Sequence, residues 1–159
     1  MKRIASHCRL WIAYWRLRPL YVIVLRAAPH VRLPAERGAG FGISWRLLRR
    51  VIEIRDAELA LRPYWRGDVA ARASAAARSA GLSSDLQAAV VEAAVVMDAV
   101  DASVRGTPPS RAPALEQLWL AAGDDLQSEV ARLVHVSRVI RRCPIVRDAR
   151  GRQISVASG

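Results

Sequence analysis

SDLQAAVVEAAVVMDAVDASVRG, residues 84–106, carries the clearest helical period in this chain. Leu86, Val90, Ala93, Met97, Val100 and Val104 recur at spacings of four and three, which places them on one side of an α-helix. Ser84 followed by Gln87 has the pattern of a capping box, and Gly106 supplies a stop. Between them no proline or glycine interrupts the run. The stripe therefore predicts a long helix with a bundle seam, packed within the chain. The same Leu86–Val104 face is the candidate surface for a homo-oligomer.

Upstream, Asp68 is expected to cap an alanine-rich helix that stops at Gly81, and its small side chains allow a neighbouring helix to approach closely. Before it lies SWRLLRRVIEIRDAELAL, residues 44–61. Leu47, Leu48, Val51, Ile52, Ile54, Leu59 and Leu61 predict a broad apolar face that belongs in the core. Arg46, Arg49, Arg50, Glu53 and Asp56 form the polar side. Arg49 with Glu53, and Glu58 with Arg62, stand four apart and can pair, each contributing about 0.2–0.5 kcal/mol. Such a self-paired face reads as a solvated helix surface. A nucleic-acid helix would keep its arginines free for phosphates.

Downstream, GTPPSRAP (106–113) reads as a loop, and residues 114–122 as a short helix. A further long helix begins near Asp124-Asp125, acids that suit a helix N-terminus. Leu126, Val130, Leu133 and Ile140 line one face, interrupted by Ser137, and Arg138, Arg141 and Arg142 crowd the last turn before Pro144. His135 in this helix is expected to be partly buried. Residues 144–159 show no period and read as a flexible tail. The expectation is an all-α fold, a compact bundle of about four to six helices with a basic amphipathic helix at its N-terminus. Residues 1–43 form that helix and a Pro/Gly-rich linker, 44–143 the bundle core, and 144–159 the tail.

The N-terminal segment holds the candidate functional residues. Ile4, Cys8, Trp11 and Trp15 make a narrow stripe, and Lys2, Arg9 and Arg16 recur every seven residues on a different face. Pro19 limits this helix, because a residue before proline avoids the α region. Tyr21–Leu25 is either a short strand or a further helical turn. The tryptophan stripe has two readings. It packs on the rest of the domain, or it lies at the headgroup level of a membrane with arginines on anionic lipid. On the second reading Lys2, Arg9, Trp11, Trp15, Arg16 and Arg18 are the docking residues.

The charge supports a polar division of the molecule. The chain has 25 basic and 14 acidic residues, net +11, and Lys2 is its only lysine. Residues 1–66 carry +10, residues 67–130 carry −5, and residues 131–159 carry +6. The charge-free stretches Leu10–Trp15 and Pro19–Leu25 fall short of the ~20 apolar residues of a spanning helix. No signal-peptide pattern is present. The expected location is cytoplasmic, at the inner face of the cell membrane, with Cys8 and Cys143 reduced.

Catalytic, metal and cofactor assignments all come out as none. His7, His30 and His135 stand on separate segments without a ligand-spaced partner, and Gly38, Gly40 and Gly42 do not make a dinucleotide fingerprint. There is neither a nucleophile elbow nor a phosphate-loop lysine.

RLLRRVIEIRDAELALRPY (46–64) resembles the soluble C-terminal domain, itself of unknown function, of an actinobacterial family of multi-pass membrane proteins labelled as transporters. WRLRPLYVIVLRAAPHVRLP (15–34) is similar to the segment that follows the last membrane helix there. AGLSSDLQAAVVEAA (80–94) and DDLQSEVARLVHVSRVIRR (124–142) are similar to its later helices. The resemblance implies no catalytic residues, and it favours a membrane-proximal role for the N-terminal helix. It also implies membrane helices ahead of this region, which this sequence does not contain, so it is expected to be a stand-alone relative or the soluble part of a longer protein. The functional expectation is a non-enzymatic interaction or regulatory module that docks on an anionic membrane surface or a membrane-protein partner. The alternative is a basic nucleic-acid-binding or transcription-regulating domain.

Overall fold

A computed structural model describes the backbone of residues 2–34, 42–108 and 125–151, and the side chains of 7–34, 42–108 and 125–148. Among these there are 7 helices and no strand, so the fold is all-α. The helices are α1 (Lys2–Arg16), α2 (Arg18–Ala27), α3 (Ile43–Leu61), α4 (Gly67–Ser79), α5 (Ser84–Val104), α6 (Leu126–Arg142) and α7 (Pro144–Gly151). Single 3-10 turns follow α2 and α3, at Pro29–Val31 and Arg62–Tyr64. The short helix expected at 114–122, most of the 106–113 loop, and Gly38 and Gly40 lie outside the described residues.

Helix α5 is the axis of the bundle and packs against α2, α3, α4, α6 and α7. Its alanines and valines are buried on more than the single seam, from Ala89 to Ala102, because a helix that is apolar all round gains most when surrounded. Val90, Ala93 and Val100 are buried inside the chain, whereas Leu86 and Val104, at the ends of the same stripe, are exposed. The Val69, Ala70, Ala73 and Ala77 side of α4 is buried as well, and small residues there let the two helices approach closely. At the ends of α4 and α5 the expected glycine stops are present. Gly81 and Gly106 take φ of 65° and 68°, and the N–H groups of Leu82 and Thr107 reach back to the carbonyls of Ala77 and Ala102.

The helix starts are less well anticipated. Asp68 does not cap α4: it lies inside the first turn, and Arg66 and Arg72 bind its carboxylate instead. The Ser84–Gln87 capping box is not formed, since Ser83 occupies the cap position and Gln87 donates to the carbonyl of Leu82. Asp125 does cap α6, accepting from the backbone N–H of Ser128 at 2.9 Å.

Two sites close the N-terminal third onto the bundle. Residues 18–27 form a helix whose Leu20 and Val24 are fully buried, so of the two alternatives for Tyr21–Leu25 the helical one holds and the strand is removed. The register of α1 runs on through Leu17, whose N–H bonds the carbonyl of Ala13 while its own carbonyl accepts from Tyr21. Pro19, lacking an N–H, leaves the carbonyl of Trp15 without its helical donor, and the next pair along, the Arg16 carbonyl and the Leu20 N–H, is spanned by a side chain. Ser137 takes this place: its hydroxyl donates to Arg16 O at 2.7 Å and accepts from the N–H of Leu20 at 3.4 Å. Ser137 therefore does not interrupt the face of α6; it is the buried polar tie at the α1–α2 junction.

The second closure is Glu53, which sequence alone put on a solvated face but which is 2% exposed. Its carboxylate accepts from the Tyr21 hydroxyl at 2.7 Å, the Leu33 N–H at 3.0 Å and Arg49 Nε at 3.1 Å. Arg49 also donates to the carbonyls of Leu33 and Pro34, so one ion pair fastens the chain leaving α2 to α3. Burial, and then the hydrogen bond to Glu53, hold the Tyr21 pKa above its ordinary value. On α3, Ile52 and Leu59 are exposed rather than in the core, because α3 is covered on fewer sides than its apolar face is wide.

The expected flexible tail begins instead with α7. Proline at the first helical position restarts the chain directly after Cys143, and Val146 is buried against the bundle. Residues 152–159 lie outside the described residues.

Candidate functional site

The geometry of α1 follows from two incompatible stripes on one helix. Leu10, Ala13 and Tyr14 pack against the core and Leu17 is fully buried, so this side faces the bundle. The tryptophan stripe is then left outside. Trp11 is 39% exposed, Ile12 49% and Trp15 56%, and Cys8 is exposed beside them. The first reading of the stripe, that it packs on the rest of the domain, is thereby corrected: a single helix cannot bury both sides against one neighbour.

The stripe continues past Pro19. Trp11, Trp15, Arg18 and Val22 follow one another at spacings of four, three and four, and because the helical register is kept they lie along one side. Val22 is 56% exposed. The Arg18 guanidinium sits over the Trp15 ring, 5.7 Å from its centroid. Arg9 and Arg16 are exposed and follow Cys8 and Trp15 by one residue, which puts them about 100° further round the helix. An apolar aromatic strip thus has cations along its flank and one cation within it. The side chain of Lys2 lies outside the described residues.

The strip is held rigidly from beneath. Tyr14 meets Trp11 and Trp15 edge to face, with centroids 5.9 and 6.0 Å away. Arg50 of α3 stacks under Tyr14 at 3.5 Å and donates to its carbonyl at 2.6 Å. Arg50, which sequence placed on a solvated face, is therefore the underside of this surface. Its role was not legible, because the partner is 36 residues away.

A second charged assembly lies inside the bundle, where sequence pointed to none. Glu58 (α3), Glu92 (α5) and Glu129 (α6) surround Arg132, with Arg55 alongside. Arg132 binds both oxygens of Glu129, at 3.1 and 2.8 Å, and donates through Nη1 to Glu92. Arg55 bridges Glu58 at 3.3 Å and Glu129 at 3.2 Å. Glu58 thus pairs within α3 and across to α6; the expected partner Arg62 stacks on Trp65 instead. The only early signal was the i,i+3 spacing of Arg55/Glu58 and Glu129/Arg132.

Three acids against two bases leave one negative charge in excess. Burial, followed by repulsion from Glu92, pushes the Glu58 carboxyl up to about 8. Burial likewise raises Glu92. Burial also opposes ionisation of Glu129, but its bonds to Arg132 outweigh that and hold its pKa below the usual range. With its carboxylates engaged by guanidinium groups the cluster is a tie between helices. Among the described residues no group of three or more His, Cys, Asp or Glu side chains could hold a metal ion. His7, His30 and His135 are all exposed, so the partial burial expected of His135 is not found. Also among the described residues, no helix is long and apolar enough to cross a membrane.

Comparison with known proteins yields one match: a family of unknown function, DUF6545, covers residues 6–142. No curated protein and no solved structure matches the chain.

Proposed function

The chain belongs to the DUF6545 family, whose function is unknown, and from its own surface we propose that it is a non-enzymatic docking module that seats its α1 face on an anionic membrane surface. The observation that carries this reading is the exposed strip Trp11, Ile12, Trp15 and Val22 with Arg9, Arg16 and Arg18 around it. Indoles prefer the zone between headgroups and acyl chains, and arginines beside them meet lipid phosphates. Each basic residue near an anionic surface contributes about 1 kcal/mol, so the three arginines supply about 3 kcal/mol, or roughly a hundredfold in partitioning. The resemblance to the soluble domain of membrane proteins labelled as transporters fits this placement at the inner face of the cell membrane.

Co-sedimentation of the whole chain with phosphatidylglycerol-containing and with pure phosphatidylcholine vesicles tests the proposal. Binding to the first, roughly a hundredfold weaker to the second, and lost in Trp11→Ala/Trp15→Ala, is expected. Equal absence of binding to both refutes it. The arginine content favours a second reading, a nucleic-acid-binding domain, and binding to duplex DNA with a steep salt dependence in the absence of vesicle binding would install that reading instead.

A further inference from the structure

Among the described residues some arginines are paired with acids and others are not. Arg49, Arg55, Arg66, Arg72 and Arg132 are each paired with an acid within the fold. Arg16, Arg138, Arg141 and Arg142 have no ion pair among the described residues, and these four line a single cleft. The cleft lies between the end of α1 and the C-terminal half of α6, has a volume of about 390 Å³, and is completed by Val134, His135 and Ser137. Among the described residues no carboxylate borders it.

Helix polarity explains part of this arrangement. Cations at a helix C-terminus are favourable, and α6 ends here, whereas α1 runs on into α2. One helix end supplies about half a negative charge, which leaves more than three of the four positive charges without compensation. Capping alone does not require four guanidinium groups around one concavity, where they repel one another. A multiply charged anion inside the cleft removes that repulsion, and the planar forks of arginine match phosphate oxygens in pairs. The volume falls within the range of small-ligand sites and exceeds what a surface ion pair would need.

The scaffold under the cleft is rigid. Ser137 is fully buried and tied to both Arg16 O and Leu20 N, so the two helices that carry the arginines keep their separation. Its hydroxyl is thereby committed, and the arginine side chains, all exposed, remain available to the ligand.

We propose that this cleft binds a phosphate monoester, the dianionic group presented by a phosphorylated small molecule or by the headgroup of phosphatidic acid. The inference does not depend on the docking of α1, although Arg16 adjoins Trp15 and would bring the cleft to the same side as the aromatic strip.

Calorimetric titration of the whole chain with inorganic phosphate and glycerol 3-phosphate, against chloride at equal ionic strength, reads the soluble source. Vesicles containing phosphatidic acid, compared with phosphatidylglycerol at equal surface charge, read the lipid source. Saturable phosphate binding is expected, weakened by about tenfold or more for each arginine removed in Arg138→Gln/Arg141→Gln. Arg78→Gln/Arg105→Gln, which removes the same charge from residues that do not line the cleft, is expected to bind as the parent does. A phosphatidic acid preference that disappears in the first variant identifies the lipid headgroup; phosphate binding without that preference identifies a soluble monoester. The proposal is overturned if phosphate binds no better than chloride and the two vesicles bind alike, or if both double variants weaken binding equally. Failure of all vesicle binding would remove the membrane reading of α1 and leave the soluble arm to decide this one.

Discussion

Replacing Glu58 by glutamine is expected to make the protein more stable at alkaline pH and to flatten its pH dependence. Glu58 is buried among Arg55, Glu92, Glu129 and Arg132, with one carboxylate more than the guanidinium groups can neutralise. In the folded state its carboxyl is pushed up to about 8, from an ordinary value of 4.5 in the open chain. Between those two values the folded protein holds a proton that the unfolded chain has released. Stability therefore falls as pH rises through that window, by about 1.4 kcal/mol per pH unit, or about 4 kcal/mol between pH 5 and pH 8. Glutamine reproduces the shape of the protonated acid and cannot ionise. At pH 5 the variant should match the parent within about 1 kcal/mol, and at pH 8 it should exceed it by up to about 4 kcal/mol. At 2–4 °C per kcal/mol for a chain of this size, this corresponds to a rise of about 10 °C in melting temperature. Thermal and urea unfolding followed by circular dichroism at pH 5, 6.5 and 8 provide the measurement. Parallel curves for the two proteins, or a variant less stable at pH 8, would show that Glu58 is ionised and held by its arginines, and would refute the reasoning.

Four further substitutions probe two buried ties and two glycines. Ser137→Ala leaves the Arg16 carbonyl and the Leu20 N–H without their buried partner, and should lower unfolding free energy by about 1–3 kcal/mol. Glu53→Ala strands three donors, from Tyr21, Leu33 and Arg49, and should cost about 3 kcal/mol in urea unfolding; a loss under 1 kcal/mol would mean that water replaces the carboxylate. Gly81→Ala meets open space at its Cβ but keeps φ at +65°, so the expected loss of about 1–2 kcal/mol is backbone strain alone. Gly67→Ala, also in open space but at an ordinary φ, should be neutral or stabilising by up to about 1 kcal/mol in the same assay.

Much of the fold was legible, and the candidate site only in part. The Leu86–Val104 period identified α5, but its central position came from residues outside that stripe, such as Ala94, Val95 and Ala99, which are buried as fully. On α1 the heptad Lys2, Arg9 and Arg16 and the tryptophan stripe were legible as separate faces. What remained open was which side the bundle covers, and Tyr14 and Leu17 settled this through their partners on α3 and in the core. The arginines of the cleft were visible as a crowded helix end, but not as a concavity shared with Arg16, which is more than a hundred residues earlier. Glu53, Glu58 and Ser137 were misplaced for one reason. The two acids were read as part of a self-paired, solvated face and Ser137 as a break in an apolar one, and each is instead buried by supplying a bond that a distant segment needs.

The sequence by itself determined α1, α3, α4, α5 and α6 and most of their ends. A helix is made of bonds between residues four apart, and Gly81, Gly106, Asp125 and Pro144 act within one turn of where they stand. Only the tertiary structure decided which faces are wet, which acids are buried, and that α7 continues the bundle past Pro144. Those outcomes depend on what arrives from elsewhere in the chain. Arg132 reaches Glu92 across 40 residues, and Ser137 reaches Arg16 across 121. Burial, charge compensation and the opening of a cleft are properties of such meetings, and no local pattern encodes them.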